Sequence, residues 1–382
     1  MYVPTFQGLG AGDFVRSAEH HRTEYPFDAR HQVRFYRARN AIYHLFQALR
    51  PKDHRLTALV PDYNSGNEVL AMRAAGVTIQ YYPVGPDGQI DLSVVEQFCN
   101  AYNPDVLYVI HYLGWPQPMW ALTDLCRQRG ILVVEDCALA LLSALDGRPL
   151  GSFGDWSVYC LYKTLPVPNG AILVQNTTRV EALEQLTLHR ASAASDGGRT
   201  AELLVQRIRG RLDGVGVALQ RIKRGVGRMA GALEIKRTTV GDIGFALADV
   251  DLAMSPISTH LVSRLDFDAI RRKRVQNFRC LVDLLDGHAS LLHRELADGV
   301  CPLFFPLLVP NKRFAADALR RRGIEALEFW NEGADTPDCD VAPTTRFLRA
   351  HVLEVPLHQD LTPQHIAYIA HHVADLDLRM PS

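Results

Sequence analysis

The sequence has few of the features that mark metal-binding, nucleic-acid-binding or membrane proteins. Its seven cysteines form no Cys-x-x-Cys pair and no cluster with histidines, so we expect reduced thiols and no structural metal. Lysine and arginine total 41 against 42 aspartate and glutamate residues, a net charge of −1, which gives no general basis for binding nucleic acid. No apolar run is long enough to span a bilayer. These absences favour a globular, cytoplasmic protein.

The length and the composition are those of an ordinary globular protein. The chain has 382 residues, of which 47% are hydrophobic and 22% are charged, and a chain of this length is expected to form two domains. The first 14 residues, MYVPTFQGLGAGDF, contain no basic stretch followed by an apolar one, so we expect no signal peptide.

Short apolar runs alternate with amphipathic segments over the first half of the chain. The runs TALVPDY, VTIQYYPV, DVLYVIHYLG and ILVVEDCA are typical of buried strands, and the segments between them are typical of helices, two of which end at Gly76 and Gly130. This alternation predicts an α/β fold with a mostly parallel sheet. Ligands bind such sheets at the carboxyl ends of the strands, where His111 and Asp136 are placed.

The second half of the chain divides into an insertion, a connecting helix and a small domain. We predict a large domain over residues 1–250, with an N-terminal arm at 1–30 and a basic helical insertion at about 191–241, and a small C-terminal α/β domain over residues 251–382. The segment MSPISTHLVSRLDFDAIRRKRVQNFRCLVDLL predicts one long helix that links the two domains. Its run from Arg271 to Arg274 is interpreted as a solvated helix face.

Asp136 and Lys163 carry most of the chemical information. Each follows an apolar run, and they are 27 residues apart (163 − 136), which leaves room for one loop and one strand between them. A buried acid beside a buried lysine suits pyridoxal 5'-phosphate (PLP). The lysine forms a Schiff base with this cofactor, and the acid keeps a proton on its pyridine nitrogen. Taken alone, the spacing is weak evidence, since an aspartate after a strand is often a turn or helix cap and most lysines are solvated.

Six stretches of sequence, taken in order, resemble the DegT/DnrJ/EryC1/StrS family of sugar aminotransferases, which have PLP fold type I. They are ARNAIYHLFQAL, LVPDYNSGNEVLAMRAAGVTIQYYPV, VLYVIHYLGWPQP, ILVVEDCALAL, LGSFGDWSVYCLYKTLPVPNGAILV and VLEVPLHQDLTPQHI. The resemblance implies a PLP-binding large domain, with Lys163 as the Schiff-base lysine and Asp136 as the partner of the pyridine nitrogen. It also implies glutamate as the amino donor, a keto sugar or similar carbonyl metabolite as the acceptor, and a homodimer.

The resemblance also points to residues that would hold the cofactor. The helix that begins near Ala38, Arg39 and Asn40 lies where the family binds the PLP phosphate, and Arg39 would supply positive charge. Tyr63, the aromatic residue in PDYNSGNE, is the candidate for the wall against the cofactor ring. His111 is expected either to contact the cofactor or substrate, or to be a hydrogen-bonded core histidine.

Three positions depart from the family pattern. Leu139 stands where relatives have a histidine or glutamine that touches the cofactor, and Cys160 stands where relatives of this branch have a serine. Asp251 begins an Asp-Leu-Ala-Met sequence where relatives read Asn-x-Arg-Met, whose asparagine reaches the phosphate of a neighbouring subunit. These changes weaken the expected contact between subunits. They leave two alternatives to transamination: a PLP enzyme that catalyses elimination or condensation, and a non-catalytic descendant that binds or regulates.

Two further stretches bear on the substrate. Trp330 and Asn331 are expected near the acceptor because of their position in the resemblance. Residues 207–237 carry nine lysine or arginine residues and an apolar stripe at helical spacing. This basic segment is interpreted in three ways: as a helical hairpin with solvated charges, as a site for an anionic substrate such as a nucleotide-linked sugar or a phosphopantetheine carrier, or as a docking surface for an anionic membrane or a partner protein.

Overall fold

A seven-stranded sheet forms the centre of the computed structural model, which describes residues 1–15, 24–51, 53–211, 244–331, 333 and 342–381. The strands of this sheet are β1 (Gln32–Phe35), β2 (Thr57–Pro61), β3 (Thr78–Tyr82), β4 (Val106–Ile110), β5 (Leu132–Asp136), β8 (Trp156–Cys160) and β9 (Ala171–Gln175). Between β5 and β8, β6 (Ala144–Leu145) and β7 (Arg148–Pro149) form a separate short hairpin. The order in the sheet is β1-β9-β8-β5-β4-β2-β3. Four of its six pairings are parallel, and β9 is antiparallel to both of its neighbours. The predicted mostly parallel α/β sheet is confirmed.

Helices connect these strands and continue beyond them. They are α1 (Ala38–Ala48), α2 (Asn67–Ala74), α3 (Leu92–Tyr102), α4 (Met119–Arg129), α5 (Glu181–Glu184), α6 (Ala193–Arg211), α7 (Pro256–Val262) and α8 (Phe267–Leu284). Local sequence explains their ends: the Asp91 side chain accepts a hydrogen bond from Ser93 N at the start of α3, and Gly130 ends α4 at a φ of 67°. Strands β4, β8 and β9 are buried along their whole length, as expected for a sheet covered on both faces.

The C-terminal part forms a second core on a three-stranded antiparallel sheet. Strands β10 (Ser290–Leu291), β11 (Phe304–Leu308) and β12 (Val352–Pro356) pair in that order, accompanied by α9 (Lys312–Arg321), α10 (Pro343–His351) and α11 (Pro363–Asp375). Val3 is buried in this core, and its N–H donates to Gly323 O. The N-terminal residues therefore lie against the small domain. The domain boundary at residue 250 stays a prediction.

The single linking helix predicted from the sequence is wrong, because α7 and α8 are separate helices. Helix α7 ends at Val262, and α8 begins at Phe267 after Asp266. The Asp266 carboxylate accepts a hydrogen bond from Ala269 N at 2.8 Å. This aspartate therefore caps a new helix instead of continuing the old one, as short polar side chains do when they bind nearby backbone N–H groups.

The predicted basic segment is described only in part. Residues 207–211 belong to the end of α6, whereas residues 212–243, which include most of the segment and of the insertion predicted at 191–241, lie outside the described residues. In the described part of the chain, no helix combines the length and the apolar character that crossing a bilayer requires.

Candidate active site

Lys163 lies just beyond the carboxyl end of β8. A single 3-10 turn, Leu161–Lys163, follows this strand, and Leu161 N donates to Gly170 O at 2.9 Å. The Lys163 side chain is partly exposed, and its Nζ lies 5.3 Å from the centre of the Phe329 ring, a cation–π contact with the small domain. Among the described residues, Nζ has no hydrogen bond and no ion pair. The amine therefore lies near an aromatic face and has no carboxylate partner among the described residues.

Asp136 ends β5, the strand next to β8 in the sheet. Its carboxylate is buried and accepts two hydrogen bonds: Tyr108 Oη donates to Oδ2 at 2.7 Å, and Ala138 N donates to Oδ1 at 2.8 Å. Burial raises the pKa of Asp136, while these two hydrogen bonds and the positive charge of Lys163 oppose the rise. The two side chains that we expected to converge therefore lie at neighbouring strand ends and within electrostatic reach of each other.

His111 directly follows β4, and its side chain lies on the opposite face of the sheet to that of Asp136. The register pairs Ile110 with Asp136, and successive side chains of a strand alternate between faces, so His111 lies with Glu135. Its Nε2 is 3.1 Å from Glu135 Oε2, and its Nδ1 accepts a hydrogen bond from Gln117 N at 3.1 Å. Both ring nitrogens are used in the core. These contacts favour the second of the two expectations for His111, a hydrogen-bonded core histidine, and its contact with the cofactor or substrate stays a prediction.

The first turn of α1 contains the predicted phosphate contacts. Ala38 is the first helical residue, so its backbone belongs to the N–H groups that make a helix start favourable to anions. Asn40 is buried, and its Nδ2 donates to Asp249 O at 2.7 Å. Its amide therefore fastens the segment before α7 to the helix start, and its contact with a phosphate stays a prediction.

Arg39 is buried next to the residues that flank the lysine. Its Nη1 donates to Gly244 O. Burial raises the pKa of Tyr162 well above its usual range, and the positive charge of Arg39 opposes that rise. Arg39 therefore lies within electrostatic reach of the residue before Lys163, and its contact with a phosphate stays a prediction.

Tyr63 lies in a narrow aromatic slot between the two domains. The centre of its ring is 5.3 Å from that of Tyr112 and 4.9 Å from that of Trp330, and Leu139 lines the same slot. The free volume is about 10 Å³, scarcely enough for one water molecule. Asn331 is exposed and is not part of the lining. A larger ligand would have to displace Trp330 to enter.

The two other departures from the family pattern have local explanations. Cys160 is buried at the end of β8, and burial raises the pKa of its thiol, so it stays protonated and is a weak hydrogen-bond donor. Asp251 is half exposed, and its Oδ1 lies 3.1 Å from His44 Nε2. This aspartate therefore has a histidine partner within its own chain.

A larger cavity, of about 330 Å³, lies elsewhere on the molecule. It is bounded by the N-terminal residues, the end of α6 and the loop after β12, and its lining includes Gly8, Arg207 and His358. None of the predicted catalytic or cofactor-binding residues lines it, whereas Arg207 and Arg211, which belong to the basic segment interpreted above as a possible site for an anionic substrate, do. We place the candidate site at Asp136 and Lys163 because the predicted reactive groups are there.

His111, Glu135 and Cys137 form a group with the spacing of metal ligands. One atom of each lies within 4.8 Å of the others. The Glu135 carboxylate already accepts three backbone N–H groups from residues 151–154, at 2.6 to 2.8 Å, and also contacts His111. Because both of its oxygens are satisfied in this way, we interpret the group as a hydrogen-bonded part of the core.

The residues around Lys163 fit the functional groups of PLP. The Lys163 amine makes no ion pair with the described residues. The Asp136 carboxylate accepts two hydrogen bonds, about half of what its oxygens can take, so it can also accept a ring N–H. Arg39 supplies a cation near the helix start. An amine, a buried acid and a cation are the donor and acceptor set that the cofactor requires.

The interpretation of Arg274 as part of a solvated helix face is wrong. Its side chain is 1% exposed, while the neighbouring Arg272 is exposed. The sequence contained a signal for this burial: Phe267, Ile270 and Asn277, which lie seven and four residues before Arg274 and three residues after it, are buried on the same helix. The sequence analysis also missed Tyr108, which the structure joins to the buried acid.

The family model described as the DegT/DnrJ/EryC1/StrS aminotransferase family matches residues 12–223, more than half of the chain. GDP-perosamine synthase of Vibrio cholerae is 30% identical to this chain over 95 residues, which are 24% of this chain and 26% of that protein. The chain thus matches about a quarter of the length of this curated relative.

Solved structures resemble the chain over nearly its whole length. PseC of Helicobacter pylori, an aminotransferase involved in the biosynthesis of pseudoaminic acid, has a TM-score of 0.67 and 16% identity, with 92% of this chain and 87% of that chain covered. The sugar aminotransferase CalS13 of Micromonospora echinospora has a TM-score of 0.64 and 17% identity, with 98% and 99% covered. At these identities the likeness shows the fold alone, and it confirms the predicted fold type I.

Proposed function

We propose a reaction on the premise that this chain belongs to the DegT/DnrJ/EryC1/StrS aminotransferase family, a family of PLP-dependent enzymes. The proposed reaction transfers an amino group, taken from glutamate, to the carbonyl carbon of a keto sugar. One observation carries the proposal most directly: the Lys163 amine, without an ion pair to any described residue, lies at the strand end next to the buried Asp136 carboxylate.

The chain's own residues have distinct roles in this proposal. PLP, when bound, supplies an aldehyde that takes up an amino group and a ring that accepts electrons. Asp136 would hold a proton on the ring nitrogen, since its buried carboxylate has acceptor capacity left. The Lys163 Nζ would attach to the cofactor and afterwards, as a free amine, would carry a proton between the substrate carbon and the cofactor carbon in each half-reaction.

The remaining contacts would orient the cofactor and the acceptor. Arg39 and the start of α1 would hold the phosphate, and Tyr63 would lie against the ring. The slot beside Tyr63 is lined by Trp330 and has about 10 Å³ free, so the acceptor would enter by displacing the Trp330 segment. Aromatic walls suit the apolar faces of a sugar ring.

We propose a nucleotide-linked keto sugar as the acceptor class. The support is the relatives' names: the Vibrio cholerae protein is a synthase of GDP-perosamine, and a Campylobacter jejuni relative that is 24% identical over 120 residues is a transaminase for a UDP-linked amino sugar. A homodimer is proposed on family grounds alone.

The experiment compares the wild-type chain with Lys163→Ala and with Lys273→Ala, a control lysine on the surface of α8. Each protein is titrated with PLP and its visible absorption is recorded before and after addition of glutamate. We expect a band that glutamate bleaches in the wild type and in the control, and no such band in Lys163→Ala.

Two results would overturn the proposal. A Lys163-dependent band that no amino donor changes would indicate elimination or condensation instead of transamination. The absence of any band in the wild type would indicate a binding or regulatory role on an enzyme's fold.

A further inference from the structure

Hydrogen bonds from three distant segments hold the backbone on both sides of Lys163. The Tyr162 carbonyl accepts from Gln7 Nε2 at 3.3 Å. The Thr164 carbonyl accepts from Gln359 Nε2 at 3.2 Å and from Arg274 Nη2 at 3.3 Å. Gln7 belongs to the N-terminal arm, Arg274 to helix α8, and Gln359 to the loop that follows β12.

Arg274 joins these segments to one another. Its Nε donates to Gln359 Oε1 at 3.0 Å, and its Nη2 donates to Gln7 Oε1 at 3.2 Å. Its Nη1 donates to Leu303 O at 2.9 Å, next to the start of β11. The planar guanidinium fork thus binds the arm, the small domain and the lysine loop at the same time, which the single ammonium of a lysine cannot do.

The charge of Arg274 is compensated in an unusual way. The side chain is 1% exposed, and among the described residues it has no carboxylate partner, only neutral oxygens. Burial lowers the pKa of Arg274 to about 10. A buried charge of this kind costs more than an apolar side chain of the same volume. Stability alone therefore does not explain an arginine at this position.

The lysine loop needs such support because its own structure is weak. Lys163 closes a three-residue 3-10 turn, a conformation with poor hydrogen-bond geometry. Reactive groups must be held to within about half an ångström of their working geometry, and small displacements reduce rates strongly. Pinning both flanking carbonyls fixes the point from which the Lys163 side chain extends.

We propose that Arg274, together with Gln7 and Gln359, is a positioning residue that couples the placement of the small domain and the N-terminal arm to Lys163. The inference rests on the proposed function of Lys163 as the residue to which PLP attaches. In this proposal Arg274, on the buried face of α8, supports the reaction by positioning Lys163 and not by contact with the cofactor.

The test compares Arg274→Lys and Gln359→Leu with Arg272→Lys, a matched control on the exposed side of the same helix. The first readout is hydrogen–deuterium exchange of the peptide around residues 161–165, measured on the chain without PLP. The second is the PLP dissociation constant, taken from the Lys163-dependent absorption band.

We expect Arg274→Lys to speed exchange at residues 161–165 by about tenfold and to weaken PLP binding by about tenfold, as expected for loss of one charge-assisted hydrogen bond. Gln359→Leu, which keeps the buried charge, should change both by about threefold, and Arg272→Lys should change neither. If Arg274→Lys does not fold, Gln359→Leu decides the question.

Unchanged exchange and unchanged PLP binding in the variants that fold would overturn the inference, whatever their global stability. Failure of the proposed function is distinguishable, because it appears as a wild-type chain without a Lys163-dependent band. The exchange measurement still tests the positioning of the loop in that case.

Discussion

Glu135 and Asp136 are neighbours in β5 that face opposite sides of the sheet, and we expect their isosteric amide variants to have opposite effects. The Glu135 side chain is 0% exposed and accepts four contacts between 2.6 and 3.1 Å: three backbone N–H groups and His111 Nε2. Asp136 accepts two hydrogen bonds and faces Lys163.

The magnitude for Glu135→Gln follows from what an amide nitrogen cannot do. One of the two carboxylate oxygens becomes an NH₂ group, which cannot accept a hydrogen bond. About two of the four hydrogen bonds are therefore lost, and at least one buried backbone N–H is left without an acceptor. Hydrogen bonds to a charged group contribute about 1.5 to 3 kcal/mol each, so the free energy of unfolding should fall by about 3 kcal/mol or more. The rate of the glutamate-dependent change of the PLP band should stay within about threefold, because the site on the other face is intact.

Asp136→Asn should show the reverse pattern. The variant keeps an oxygen that accepts from Ala138 N. It also removes a carboxylate whose charged form is disfavoured by burial, as the raised pKa of Asp136 indicates. The free energy of unfolding should therefore change by less than about 1 kcal/mol. An amide cannot hold the charge that keeps the ring nitrogen protonated. The glutamate-dependent change should therefore slow by on the order of a hundredfold or more.

The assays are urea unfolding followed by circular dichroism, and stopped-flow absorption of the PLP-loaded chain mixed with glutamate. The reasoning would be refuted if Glu135→Gln were as stable as the wild type, since the four contacts could then not be present. It would also be refuted if Asp136→Asn reacted with glutamate at the wild-type rate.

Two further predictions concern stability. Burial lowers the pKa of His358 to about 3 from an ordinary value of 6.5, so below pH 6.5 the unfolded chain takes up a proton that the folded chain does not, and the folded state becomes less stable as the pH falls. Between pH 7 and pH 5 the free energy of unfolding of the wild type, measured by urea titration, should therefore fall by about 2 kcal/mol more than that of His358→Gln. Equal losses in the two proteins would contradict the burial of His358. Thr345 is buried, and its hydroxyl donates to Asp62 Oδ1 at 2.6 Å across the two domains, so Thr345→Val should lower the free energy of unfolding by about 1.5 to 3 kcal/mol in thermal or urea unfolding. The control Thr344→Val changes a neighbouring residue that makes no side-chain hydrogen bond within the described part of the chain, and it should cost less than half as much.

Much of the large domain could be predicted from the sequence because its signals are local. Apolar runs of about five residues between amphipathic segments are the direct expression of a parallel sheet buried on both faces, and Asp136 and Lys163 stand at strand ends that the pattern marks. The break between α7 and α8 was missed, although Asp266 is a suitable cap, because an apolar stripe runs through the turn.

The sequence by itself determined the α/β alternation and the placement of Asp136 and Lys163 after apolar runs, while the roles of these two residues in the reaction stay a prediction. Only the tertiary structure decided which face each strand-end side chain occupies, and this separated Asp136 from His111. It also decided that Arg274 is buried: the apolar stripe places this arginine on the inner face of α8, but only the oxygen partners supplied by distant segments make its burial possible. These partners are Gln7, Gln359 and the Thr164 carbonyl. Gln7 and Gln359 are 352 residues apart in the chain (359 − 7), and no local sequence pattern predicts that both contact Arg274.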